Sequence, residues 1–400
     1  MKDFLSTAEI DDLETAKLYL RQSMDGFNLL FNSSLAAMAL TDMGAERVLV
    51  RINKRYEEMF GYREDEVIGR NSIEIGILDE AEHKRAGTII KEKGRLQNEK
   101  VQCWTKEGKK LFIIASLEEI EMGGKKYLLS IFQDITEIVE QQRIIKLQNQ
   151  EITDSINCAK RIQQAKLPKR EDIYSAFPDS FILFKPKAIV SGDFYYFHRI
   201  DNSVFIAAAD CTGHGVPGAL MSMICSEKLD NALAHSTDTS IILSHLNKRI
   251  KSSLSQSDSH ESIHDGMDIA FCLVDEDSSV VRYAGANRPI WIIRNGQTVI
   301  EEIKGTKKAI GGFTEDNQLF ETHTLQLYRG DTFYLFSDGY SDTFGGENNK
   351  KLTSKRFKEL LLSIQGKPLK DQELDIDNFI EDWKAGIEQV DDILVIGVRL

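Results

Sequence analysis

Proline is missing from the first 167 residues: all 6 prolines (Pro168, Pro178, Pro186, Pro217, Pro289 and Pro368) lie beyond that point. Such asymmetry implies two architectures with a boundary near residue 165. Cysteine is sparse. The 5 present (Cys103, Cys158, Cys211, Cys225, Cys272) are odd in number, scattered and never spaced C-x-x-C. That excludes a disulfide framework and a zinc knuckle, and points to a reducing, cytoplasmic setting. No apolar run reaches the ~20 residues needed to cross a bilayer. The start, Met1-Lys2-Asp3-Phe4, turns acidic at Glu9, Asp11, Asp12 and Glu14 and shows no apolar signal segment. Membrane insertion is therefore not expected. A basic stripe is also lacking: 50 Lys and Arg stand against 63 Asp and Glu, a net charge of -13, which argues against a nucleic-acid partner. Repeats and low-complexity segments are absent.

What is present suits two or three globular domains: 400 residues, 42% hydrophobic and 28% charged. Residues 1–24 read as an N-terminal helix. Residues 25–137 alternate helical pieces with short strands (Arg47–Ile52, Glu99–Trp104, Lys110–Ser116, Lys126–Phe132), turning at Gly108 and at Gly123-Gly124. That order predicts an α+β domain with an antiparallel sheet. Residues 138–168 hold no Gly and end on Pro168. Ile138, Ile145, Ile152 and Ala159 recur at heptad spacing, with polar Gln142, Gln148 and Asn149 near the seam. The pattern fits a marginal parallel coiled coil that dimerises the chain, or a solvated helix. Residues 169–400 show many strands flanked by helices at two places (Ala219–Ala234 and Ser240–Ser253; Ser354–Ile364 and Glu373–Glu388), hence a layered α/β sandwich.

The chemistry concentrates at strand ends. Asp193 opens Asp-Phe-Tyr-Tyr after Ser191-Gly192. Asp210 closes Val204–Ala209 and precedes Cys211-Thr212-Gly213-His214-Gly215. Asp338 follows Phe333–Ser337, and Asp391-Asp392 precede Ile393–Ile396. A lone aspartate at a strand end is ordinarily a turn or cap residue. Four converging ones form an oxygen-only site for hard cations such as Mn2+ or Mg2+, and two such ions could activate water against a phosphate ester. His214, between two glycines, is either a proton donor to the leaving alkoxide or merely the residue between two backbone hinges; the second reading is the simpler.

Four segments in order, Val190–Tyr196, Ala209–Met221, Gly330–Tyr340 and Val390–Val398, resemble the bacterial serine phosphatases of the sporulation stage II protein E type. These are metal-dependent phosphatases related to protein phosphatase 2C (the PPM fold, an α/β/β/α sandwich). The resemblance covers about 160–400. It implies a two-ion Mn2+ or Mg2+ site with Asp193, Asp210, Asp338, Asp391 and the backbone carbonyl of Cys211 as ligands, Asp193 and Asp210 central to catalysis, and Asp392 and His214 as accessories. It further implies a phosphorylated protein substrate, an anti-sigma-factor antagonist in a partner-switching pathway. Leu394 stands where the family often has Thr. No arginine stands at an obvious phosphate-clamping position, and Lys185 and Lys187 read as surface lysines. The alternative is a catalytically silent scaffold on the same fold. A nucleotide cyclase or a sensor kinase lacks its signature here.

Phe31–Ser34, Asn53–Tyr62, Glu66–Arg70 and Asp134–Thr136 resemble a PAS sensor domain. Gly69-Arg70-Asn71-Ser72 is similar to the flavin-binding light sensors, but Ser72 replaces their adduct-forming cysteine. Cys103 and the 8 histidines offer no haem or iron–sulfur pattern. The sensor binds a small ligand or a partner, or serves only to dimerise. Residues Ile156–Pro168 resemble the segment that joins sensors to this phosphatase family, the natural transmitter between them.

Overall fold

The computed structural model describes residues 7–44, 46–256 and 264–400. It divides into two compact units on either side of Gln150 and Glu151. Residues 1–6, part of the expected first helix, lie outside the described residues.

The first unit runs α1 (Thr7–Ser33), β1 (Ala37–Asp42), β2 (Leu49–Ile52), α2 (Lys54–Phe60), α3 (Glu64–Val67), α4 (Glu80–Lys93), β3 (Arg95–Trp104), β4 (Lys110–Met122) and β5 (Lys125–Asp134). Its antiparallel sheet has the order β2-β1-β5-β4-β3. Gly108 (φ 79°) and Gly123-Gly124 (φ 59° and 75°) turn the two hairpins in the left-handed region. One sheet face, with Leu96, Cys103, Leu111, Ile113 and Leu128, packs on Tyr56, Phe60, Val67 and Ile90. Asn53 locks this corner. Its buried carboxamide accepts from the Met38 and Tyr56 N–H groups at 2.9 Å and donates to the Phe31 and Ala36 carbonyls at 3.0 and 2.9 Å. One expectation needs correction: the first helix does not stop near residue 25 but continues to Ser33. Strand β1, not among the expected strands, forms from Ala-Met-Ala-Leu-Thr-Asp, whose alanines and methionine carry little strand signal.

Helix α5 (Thr136–Lys166) is the long proline-free segment. Ile138, Ile145 and Ile152 are each more than half exposed along it.

The second unit continues with α6 (Arg170–Ala176), β6 (Ser180–Lys185), β7 (Asp193–Ile200), β8 (Ser203–Cys211), α7 (Gly215–Leu233), α8 (Thr239–Ser253), β9 (Gly266–Asp275) and β10 (Val280–Ala286). Then follow β11 (Ile290–Ile293), β12 (Ile300–Ile303), β13 (Ile310–Gly311), β14 (Thr322–Gln326), β15 (Thr332–Phe336), α9 (Gly339–Asp342), β16 (Phe344–Gly345), β17 (Lys350–Lys351), α10 (Thr353–Ile364), α11 (Leu369–Lys384) and β18 (Ile393–Arg399). Two sheets, β14-β10-β9-β8-β7 with β13 on β9, and β12-β11-β15-β18-β6, enclose a core containing Ile206, Ala208, Cys272, Ile292, Leu335 and Ile396. Outside them, α7 and α8 cover Phe205, Ala207 and Phe271, while α10 and α11 cover Trp291, Tyr334 and Val395. The result is four layers, α/β/β/α. Both faces of the central strands are buried, which is why Val204–Ala209 and Phe333–Phe336 read as unbroken apolar runs rather than alternations. Helix α11 begins at Leu369, right after Pro368, and not at Glu373; proline's fixed φ suits a helix start. It ends before Glu388 because Ala385 and Gly386 turn left-handed.

Candidate metal centre

The strand pairing itself assembles the carboxylates. Asp193 on β7 is the register partner of Asp210 on β8, and Asp210 is the partner of Asp268 on β9. Directly opposed residues share a sheet face, with Cβ atoms ~4.5–5.5 Å apart, and like charges so placed repel. Three anions therefore stand in one row. The second sheet brings Asp338, just after β15, and Asp391, just before β18. Those ends are pinned together: the Ser337 N–H donates to the Leu394 carbonyl, and the Leu394 N–H to Ser337 Oγ, both at 3.0 Å. A Cβ on Gly339 would lie 1.9 Å from the Asp392 carbonyl oxygen, so only glycine admits this approach.

The electrostatics register the crowding. Burial, then Asp210, holds the Asp193 carboxyl well above its ordinary range, against a lowering hydrogen bond with Ser337. Burial first, with Asp338, Asp268 and Asp391 adding, pushes Asp210 up to about 7 even though Arg288 opposes it. Burial also raises Asp268 and Asp391. Asp193 is 2% exposed and its Oδ2 has no hydrogen-bond partner.

The remaining sequence candidates fall into place around this cluster. A Cβ on Gly192 would come within 3.2 Å of the Cys211 carbonyl oxygen and 2.3 Å of the Gly213 one; a Cβ on Gly218 would meet the latter at 2.2 Å. Gly192 and Gly218 thus let the Cys211–Gly215 loop fold against the start of β7. The Cys211 thiol is buried, its pKa raised by burial and by Cys225. His214 caps α7 in extended geometry, its Nε2 2.9 Å from Lys187 Nζ. Lys185 pairs instead with Asp377 and Glu381 on α11. Asp392 differs from its neighbour: it is 2% exposed, and its two oxygens accept from the Lys187 and Gly192 N–H groups, each at 2.7 Å. It holds backbone rather than facing the cluster with a free oxygen.

Two site residues escaped the sequence reading. Asp268 carries the same signal as the others, a carboxylate at the end of an apolar strand. Arg288, which the sequence reading does not single out, reaches the carboxylates themselves. Its Nη2 lies 2.7 Å from Asp210 Oδ2, 2.7 Å from Asp338 Oδ2 and 3.4 Å from Asp268 Oδ2. An oxygen-only donor set, an orphaned buried carboxylate oxygen and an excess of anions fit hard divalent cations. Among the described residues, no three His, Cys, Asp or Glu side chains already surround one metal position.

Helix α5 reaches this neighbourhood at its last turn. Gln163 is buried; its Nε2 donates to the Ser191 carbonyl at 2.6 Å and to Ser222 Oγ at 2.9 Å, and its Oε1 accepts from the Ser191 N–H at 3.1 Å. Ser191 Oγ in turn accepts from the Asp193 N–H at 3.0 Å.

In the first unit, the sheet and α4 enclose a mostly apolar cavity of about 110 Å³. Ser72 lines it, with Oγ 2.9 Å from His83 Nδ1, and no cysteine is among the lining residues. Cys103 is fully buried in the sheet, and burial raises its thiol to about 12.

Among the described residues, no helix is long and apolar enough to cross a membrane. Residues 200–400, half of the chain, match the family described as stage II sporulation protein E, and residues 35–137 match the PAS domain family. Phosphoserine phosphatase RsbU of Bacillus subtilis (strain 168) is 25% identical over 232 residues, which span 57% of this chain and 65% of that protein, just under two thirds of its length. The SiaA-PP2C domain of Pseudomonas aeruginosa is 31% identical with a TM-score of 0.57, over 63% of this chain and 98% of that domain. With four layers, a row of strand-end aspartates and these matches together, the chain belongs to the stage II sporulation protein E family and carries a PAS domain in its N-terminal part.

Proposed function

We propose that this chain is a phosphoserine/phosphothreonine protein phosphatase that works with two Mn2+ or Mg2+ ions. The observation that carries the reading is the in-register row Asp193–Asp210–Asp268 facing Asp338 and Asp391 across the sandwich. Asp193, Asp210, Asp338, Asp391 and the Cys211 carbonyl hold the ions, and Asp268 joins them. Bound ions supply Lewis acidity that activates a water and neutralises charge on the phosphoryl oxygens. The protein's part is to fix these oxygens on strand ends, so that little reorganisation is needed on binding. The glycines around His214 set the loop, and His214 with Lys187 lines its rim. Resemblance to the family supplies the substrate class, a phosphorylated anti-sigma-factor antagonist in a partner-switching pathway in the cytoplasm.

The functional divisions we infer are 1–24, the PAS sensor at 25–137, the transmitting helix at 138–168 and the phosphatase at 169–400. The exposed Ile138, Ile145 and Ile152 support a homodimer through α5. Gln163 supports transmission, since a turn of the helix there acts on Ser191 and hence on Asp193. The test is hydrolysis of p-nitrophenyl phosphate and of a phosphoserine protein by the full chain. Turnover that requires Mn2+ or Mg2+ and disappears with EDTA is expected. A folded chain that binds a phosphoprotein but never hydrolyses either substrate would establish the scaffold instead.

A further inference from the structure

We propose that Arg288 is a tethered counter-cation of the carboxylate cluster, which a divalent ion must displace, so that this side chain weakens and thereby sets the affinity for the second ion. The inference rests on the two-ion reading above. One guanidinium nitrogen is shared by Asp210 Oδ2 and Asp338 Oδ2 at 2.7 Å, with Asp268 Oδ2 at 3.4 Å. These oxygens come from both sheets. A Mg2+ ion that joins the same two oxygens needs them at ~2.0–2.1 Å, in the position that Arg288 Nη2 occupies between them.

The arrangement is not that of a finished structural ion pair. Arg288 Nε is buried without a hydrogen-bond partner, so the planar fork satisfies only part of its donors. A single positive charge faces three carboxylates, with Asp193 and Asp391 close by, and the cluster remains anionic. The backbone of the same residue is fixed. Tyr283 Oη donates to the Arg288 carbonyl, and the Arg288 N–H donates to the Ala286 carbonyl at 2.7 Å. Asn287, at φ 57°, donates from Nδ2 to Asp268 Oδ1 at 2.8 Å. A Cβ on Gly285 or Gly305 would meet the Arg288 carbonyl at 2.4 or 2.8 Å. The side chain can therefore leave while its attachment stays, and its local concentration beside the cluster is permanently high.

The experiment is calorimetric titration of Mn2+ into the full chain in the absence of substrate, together with thermal melts in EDTA. Arg288→Gln is expected to bind the weaker ion at least tenfold more tightly than the unsubstituted chain, and to melt lower in EDTA while gaining more from Mn2+. Equal or weaker binding would overturn the proposal, and would make Arg288 a residue that positions the ligands. Should Arg288→Gln not fold, Arg288→Lys carries the test. It keeps the charge without the fork and is expected to bind at least threefold more tightly; unchanged or weaker binding refutes the idea. Failure of the unsubstituted chain to bind any Mn2+ defeats the two-ion reading itself, and this inference with it.

Discussion

Replacing Asp392 by Ala should unfold more than it disarms. The carboxylate is 2% exposed and its two oxygens each accept a backbone N–H at 2.7 Å, from Lys187 and from Gly192. Alanine leaves the buried Gly192 N–H without an acceptor, while the Lys187 N–H, on an exposed residue, can turn to water. An unsatisfied buried donor costs about 1–3 kcal/mol, with about 2 as the centre. In a unit of this size each kcal/mol moves Tm by roughly 2–4 °C, so the melt should drop by about 4–8 °C. Calorimetry in EDTA isolates this from any change in metal binding. Asp391→Asn is the matched control. Asp391 is half-buried, its Oδ1 accepts only the Asp392 N–H at 2.8 Å, and an asparagine oxygen can do the same. That variant should melt within about 2 °C of the unsubstituted chain and lose Mn2+ affinity instead. An Asp392→Ala protein melting as high as Asp391→Asn would refute the division of labour drawn between these adjacent residues.

Asp210→Asn should lower phosphatase turnover at saturating Mn2+ by at least about 100-fold, and near-normal turnover would remove Asp210 from the site. The same variant carries a pH signature. A carboxyl pushed up to about 7 from its ordinary 3.8 keeps its proton in the folded chain over a range where the unfolded chain has released it. The fold therefore loses Asp210-linked stability as pH rises from about 4 to about 7. In EDTA, Asp210→Asn should gain Tm relative to the unsubstituted chain as pH goes from 5 to 8; a constant difference would contradict the shift. One residue inserted or deleted near Gln148 rotates the downstream face by ~100°, and activity should vary with the phase of an insertion series, whereas a passive spacer would give uniform activity. Blue light on purified protein should produce no reversible bleaching of a flavin, because Ser72 offers no thiol and no cysteine lines the cavity.

The legible parts of this chain were those where burial dictates composition. Strands β8 and β15 lie between two covered faces, so their runs are apolar throughout and their ends were placed within a residue or two. Strand β14 (Thr-His-Thr-Leu-Gln) lies at a sheet edge with one face in water, and α6 is a charged helix of about two turns; neither carries enough apolar residues to stand out. Within the site, Asp193, Asp210, Asp338 and Asp391 were visible as carboxylates at strand ends. Asp268 carries the same pattern, in Gly266-Met267-Asp268 before an apolar run, but lies outside the four segments that resemble the family. Arg288 could not have been found that way. Its direction is set by the left-handed Asn287 and by the Tyr283 hydroxyl holding its carbonyl, contacts that no local pattern announces. The two neighbours Asp391 and Asp392 look alike in sequence and part company only when the Lys187 and Gly192 amides arrive from two hundred residues earlier.

The pairing of Asp193 with Asp210 and of Asp210 with Asp268 makes the hydrogen-bond ladder a ruler. The separation of the three backbone positions that carry these donors is the spacing of neighbouring strands, a constant of the polypeptide backbone, and no loop takes part in measuring it. The β7–β8 connection, and the β8–β9 connection beyond Gly218, can lengthen, shorten or change sequence while the donors stay where they are. A slip of one strand by a single residue, by contrast, would send its aspartate to the opposite face among the apolar side chains. Variation in such a centre is thus cheap along the chain and forbidden across the sheet, which leaves the loops around the donors open to new partners and new inputs.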